Sequence, residues 1–217
     1  MINSRKLGRY MAVGLLMMTG AAQATLINRG GGMIYDSAQN LTWLQDANAG
    51  AGSSFDNGRS ATDGRMTWDS VTAWAASLTV GGFTDWRLPT PLNAGGSGLC
   101  GGYHCTGSEL GHLFYTELGG RARSSILSAS DPNGYLPLFS NVQPGTYWLG
   151  MEYAPLTGYA WFFNAAKGFQ DVTLKRAGLF AWAVRSGDVA GVPEPATVLL
   201  MTLGLAGLGL AKRGRRQ

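Results

Sequence analysis

The chain has 217 residues and a formal net charge of +4, with 45% hydrophobic and only 14% charged residues, 33 glycines and seven tryptophans. Seven of its 17 Lys and Arg lie at the two ends, so residues 25–191 keep ten basic against twelve acidic side chains. A slightly acidic body argues against nucleic acid and anionic lipid as partners, and its length, about 168 residues once both ends are set aside, suits one domain rather than two.

The N-terminus carries Arg5, Lys6 and Arg9, an apolar stretch from Tyr10 to about Ala22, and Ala22-Gln23-Ala24 before Thr25. This order predicts a signal peptide over residues 1–24 and a mature chain starting near Thr25. Gly30 to Asp36 and Leu41 to Asp46 read as two short strands around an Asp-Ser-Ala-Gln-Asn turn. Residues 47–65 are rich in Gly, Ser, Asn and Asp, and are expected to be a loop.

Thr67 then stands as an N-cap, and Trp68, Val71, Trp74, Ala75 and Leu78 share one helical face before Gly81-Gly82. Leu88 precedes Pro89 and is expected to be extended. A second helix is expected from about Gly107 to Leu118, closed by Gly119-Gly120. Four segments near 147–152, 159–164, 168–172 and 179–185 read as strands. The class expected is α+β: one antiparallel sheet with two helices on one side.

Cys100 and Cys105 are the only cysteines. In an exported protein, a pair this close predicts a small disulfide loop. A metal site using both with His104 would need a further ligand and the usual Cys-x-x-Cys spacing. Asp131-Pro132-Asn133 is a loose echo of a calcium-binding loop, although a plain turn explains it. No cofactor, metal or catalytic residue is expected. His104 and His112 have no nucleophile beside them in a recognised pattern, and Glu109 and Glu117 are offset by about 80° around a helix, which suits a glycosidase pair poorly.

The candidate ligand residues are Trp86, Arg87, Trp148 and Trp161. Trp86 and Arg87 present a ring and a guanidinium to a sugar, or else Trp86 packs in the core and Arg87 pairs with Asp85 or another carboxylate. Trp148, Trp161 and Trp182 carry the same two readings. Along a strand, Trp148 points away from the face shared by Tyr147, Leu149 and Met151, so one set is expected in the core and the other is free to be exposed.

The chain closes with Pro193-Glu194-Pro195, an uncharged apolar run from Ala196 to Ala211, and the basic tail Lys212, Arg213, Arg215 and Arg216. The prolines disfavour helix at the motif, the apolar run falls just short of a full bilayer span, and the basic end favours a cytoplasmic C-terminus. This segment, residues 192–217, resembles the PEP-CTERM sorting signal of Gram-negative bacteria that make exopolysaccharide. The resemblance implies export, transient tethering in the inner membrane, cleavage near Pro193-Glu194-Pro195 by an exosortase-type membrane protease, and release to the surface or matrix.

Across residues 25–190 the segments Met33 to Asp36, Leu41 to Leu44, Thr67-Trp68, Gly81 to Thr90, Glu109-Leu110, Tyr147-Trp148 and Ala181 to Arg185 resemble the domain named after the C-terminal part of the Legionella collagen-like adhesin. The resemblance implies a C-type-lectin-like or formylglycine-generating-enzyme-like fold. The expected function is that of a non-enzymatic surface or matrix module binding polysaccharide. The alternatives are a structural or adhesion protein working through protein contacts, and an unrecognised hydrolase.

Overall fold

The computed structural model of the chain describes residues 26–189. The expected signal peptide over residues 1–24 and the segment 192–217, with its apolar run, lie outside them. The body is mixed α and β, with two helices and two antiparallel four-stranded sheets. The expected single sheet is therefore corrected to two.

The first sheet holds β1 (Leu26–Gly30), β2 (Met33–Asp36) and β3 (Leu41–Leu44) in that order. The expected hairpin is β2 and β3, with Ile34 opposite Trp43. Its turn is fixed by Asp36, whose Oδ1 accepts the Ala38 and Gln39 amides. β1 was not legible as a strand because exposed Asn28, Arg29 and Gly30 give it no apolar alternation.

After a long loop, α1 (Trp68–Ser77) buries Val71, Trp74 and Ala75, the face that the period of 3.6 marks. Thr67 occupies the N-cap, but its hydroxyl donates to Ser70 Oγ rather than capping an amide. Gly81 and Gly82, at φ of 61° and 82°, form the separate turn that lets Val80 pair with Phe83. β4 is the short strand Gly102–Tyr103. The second helix begins at Ser108, whose Oγ accepts the Gly111 amide. It runs as α2 (Glu109–His112) and continues through one wide turn, Leu113–Glu117.

The second sheet has the order β4, β7 (Phe169–Leu174), β6 (Tyr159–Asn164) and β5 (Thr146–Glu152). Helix α1 meets it where Trp68 Nε1 donates to the Leu149 carbonyl, and the second helix meets it where Phe114 packs 5.5 Å from Phe163. β8 (Val184–Ser186) leaves this region and closes the first sheet beside β3.

Residues 179–183 are not the strand expected. They form a seam bonded to several elements: Leu179 pairs with Met66, Phe180 exchanges backbone bonds with Thr146 and Trp148, and the Leu44 amide donates to Ala183. A segment buried all round loses the alternation that marks a strand with one wet face. The same seam covers β5. Tyr147, Trp148 and Leu149 are all fully buried, so both faces of β5 are covered there and the expected division into core and surface sets fails over these three residues, while Gly150 is exposed and Met151 and Glu152 are half-buried.

Candidate functional site

Trp86, Trp148 and Trp161 are 3%, 0% and 7% exposed. Trp148 donates its indole N–H to the Met66 carbonyl at 2.8 Å, and Trp86 donates to Phe83 at 3.2 Å. Trp161 lies edge-on to Tyr153 at 6.0 Å. These rings fill the core because each removes a large apolar area from water, and they offer no open platform for a sugar. Trp182 is likewise fully buried.

Arg87 is the one of the four candidates that reaches the surface, with 39% of its side chain exposed. Its partner is not Asp85. Nη1 and Nη2 hold the two oxygens of Glu109 at 2.8 and 2.7 Å, and Glu109 Oε2 also accepts the Thr90 amide at 2.7 Å. Asp85 instead pairs with Arg185, whose guanidinium holds its carboxyl below the usual carboxylate range. Glu109 is the first residue of α2, where the helix dipole favours a carboxylate. The extended Leu88-Pro89 step carries the chain from Arg87 to Thr90, so the ion pair clamps this stretch to the helix start.

Two open grooves meet at Thr90. One, of about 420 Å³, takes Gln39, Thr90, Asn93, Thr106, Glu109 and His112 as its polar lining. The other, of about 450 Å³, runs past Thr72, Trp86, Arg87 and Gly150. The first is shaped by the loop after Thr90: the Asn93 amide donates to Gly98 and the Ala94 amide to Gly107. Cys100 and Cys105 are disulfide-bonded, with Cα atoms 5.5 Å apart, and Gln170 ties the loop down by donating to the Pro91 and Cys100 carbonyls. Asn93 and Thr106 side chains make no hydrogen bond among the described residues, which leaves amide and hydroxyl groups facing the groove.

Under the groove lies a charged cluster that the sequence did not reveal. Asp36 is fully buried and Glu117 is 2% exposed, with Glu117 Oε1 3.1 Å from His112 Nε2. Gln39 Nε2 bridges Asp36 Oδ2 and the Glu109 carbonyl, linking the hairpin turn to α2. Burial raises the Asp36 pKa, its hydrogen bonds from Gln39 oppose the rise, and the Glu117 charge adds to it. A raised pKa means that the folded state holds the proton more tightly than the unfolded chain. The stability Asp36 contributes is thus present below the ordinary carboxylate range and is lost as pH climbs through its raised value. Melting temperatures of the unsubstituted protein and Asp36→Asn, followed from about pH 4 to 7, should diverge in favour of the variant as pH rises. A constant gap would contradict this.

Glu109 and Glu117 are each engaged, by Arg87 and His112. Asp131 uses both carboxylate oxygens on the Tyr135 and Leu136 amides, the pattern of a plain turn. No group of three or more His, Cys, Asp or Glu among the described residues is placed to hold a metal ion. None of the described helices is long and apolar enough to cross a membrane.

Glu109 was quoted in the sequence only within a family pattern and as a poor catalytic partner. Gln39, Asn93 and Thr106 carried no signal at all, since single polar residues in turns are common.

Residues 191–216 match the PEP-CTERM protein-sorting motif. That motif marks the chain for export by an exosortase-type sorting system to the cell surface of a Gram-negative bacterium. No curated protein and no solved structure matches the chain.

Proposed function

We propose that the body is a non-enzymatic glycan-binding module, C-type-lectin-like and similar to the C-terminal domain of the Legionella collagen-like adhesin, which acts at the cell surface or in the matrix once its tail is removed. The observation that carries this reading is the groove at Thr90. It is open, and its lining sets the Gln39 and Asn93 amides, the Thr90 and Thr106 hydroxyls and the Glu109 carboxylate beside apolar Leu41, Leu92 and Ala94. Sugar hydroxyls are donors and acceptors at once, and such a lining matches them without a charged ligand. Recognition by polar groups replaces the aromatic stacking expected of Trp86, Trp148 and Trp161.

The test is binding of the secreted protein to an array of neutral and acidic glycans, with Asn93→Ala and Thr106→Ala as a paired variant. Loss of two hydrogen bonds is expected to weaken the best ligand on the order of tenfold. Silence across the array, or binding unchanged in the variant, would overturn the reading.

A further inference from the structure

The near-even charge of the body conceals a local excess. Arg29, Arg87, Lys175 and Arg185 each hold a carboxylate, on Asp188, Glu109, Glu152 and Asp85. Arg59, Arg65 and Arg176 form no ion pair among the described residues, and the three converge on one groove of about 320 Å³ beside Asn57 and Thr67. The slightly acidic charge count of residues 25–191 therefore hides a basic patch. Its members stand alone in the sequence, and only the fold assembles them.

The groove is built by backbone contacts. The Gly58 amide donates to the Arg65 carbonyl at 2.7 Å, which closes the loop carrying Arg59 and brings both arginines to one side. A Cβ at Gly58 would lie 2.3 Å from that carbonyl oxygen, so the closure depends on glycine. Arg176 arrives on the turn after β7, where a Cβ at Gly178 would lie 3.1 Å from the Gly58 Cα.

The acids in the same loop are directed elsewhere. Asp56 Oδ2 accepts the Gly52 and Gly64 amides, and Asp63 Oδ1 accepts the Arg65 amide. The Arg65 guanidinium rests 4.8 Å over the Phe180 ring, which holds it in place without neutralising it. Three unneutralised guanidinium groups around one groove repel each other, and an anion seated among them removes that repulsion.

We propose that this groove binds the carboxylates of an acidic polysaccharide. The preference for carboxylate follows from this molecule's own chemistry. Each of its other ion-paired arginines grips a carboxylate through two hydrogen bonds, Arg29 at 2.9 and 2.5 Å, Arg87 at 2.8 and 2.7 Å, and Arg185 at 2.8 and 3.1 Å. The planar guanidinium fork is suited to that geometry. A polymer is favoured over a single ion because the groove runs on, through Thr67 and Arg176, into a neighbour of about 410 Å³ lined by Asp69 and Lys175. Export places the groove among extracellular polymers.

The experiment is binding of the secreted protein to immobilised polygalacturonate, with dextran as the uncharged counterpart. Polygalacturonate is retained and dextran is not, and the affinity falls on the order of tenfold or more between about 50 and 500 mM NaCl as the charges are screened. The double variant R59Q/R176Q leaves the contact of Arg65 with Phe180 in place and weakens binding on the order of tenfold or more. Adding R65Q abolishes it. R121Q/R123Q, at exposed positions outside the groove, leaves binding unchanged.

An unaffected R59Q/R176Q, a loss produced by R121Q/R123Q, equal retention of dextran, or binding confined to dextran sulfate or to phosphatidylglycerol vesicles would each overturn the proposal. The groove shares no lining residue with the one at Asn93 and Thr106, so N93A/T106A retains polygalacturonate binding and the two readings stand or fall separately.

Discussion

Trp182→Ala is expected to leave the domain largely unfolded at room temperature. Trp182 is fully buried at the centre of an aromatic cluster, with Trp43, Phe139 and Tyr147 at ring distances of 5.4, 5.0 and 5.7 Å. Its indole N–H donates to the Leu44 carbonyl at 2.7 Å, joining the seam before β8 to the end of β3. Truncating such a ring costs about 3–5 kcal/mol, and leaving the carbonyl without its donor adds about 1–3 kcal/mol. Against a total stability of about 5–15 kcal/mol for a domain of this kind, a loss of about 4–8 kcal/mol removes most or all of it across the lower half of that range. Trp182→Phe keeps most of the apolar volume and is expected to retain a folded, weakened protein. Urea unfolding followed by circular dichroism measures both, and a loss below about 1 kcal/mol for the alanine variant would show that the cluster is not what holds the two sheets together.

Deleting residues 192–217 is expected to remove the protein from the surface fraction while leaving export intact, because residues 1–24, which read as a signal peptide, are untouched and the sorting motif at 191–216 is gone. The deleted protein should collect in the periplasm. A narrower change, Glu194→Ala, keeps the apolar run and the basic tail, and is expected to hold uncut protein at the inner membrane. The two outcomes separate the expected tethering by the run from Ala196 to Ala211 from the expected cleavage near Pro193-Glu194-Pro195. Cell fractionation with an antibody to the body reads both. Surface delivery of the deleted protein, or of uncleaved Glu194→Ala protein, would contradict the sorting account.

Local periodicity made much of the fold legible. The face of α1 at Val71, Trp74 and Ala75 was read correctly because a helix with one dry side repeats every 3.6 residues. The β2–β3 hairpin and β6 were legible as short runs of aromatic and branched residues bounded by turn residues. β5 was read correctly as a strand, but residues 179–183 were misread as one and the faces of β5 around Trp148 could not be assigned, because a run covered on both sides does not reveal which neighbours surround it.

The site was less legible than the fold. Tryptophan is the residue most suggestive of a sugar platform, yet Trp86, Trp148 and Trp161 are used to fill a domain with short strands and long loops. Pairing of Arg87 with a carboxylate was one of its two readings, but the partner lies 22 residues away at Glu109, and charge pairing over such distances has no sequence signature. Arg59, Arg65 and Arg176 show the same limit more sharply, because each is unremarkable alone and only loop closure at Gly58 brings them together.

The intact mass of the protein recovered from the cell surface tests the central claim most directly: that a folded, disulfide-closed body is delivered outside and freed from its tail. The expected species begins near Thr25, ends close to Pro193-Glu194-Pro195, and is two hydrogens lighter than its reduced form because Cys100 and Cys105 are joined. A surface species that still carries residues 196–217 would contradict it.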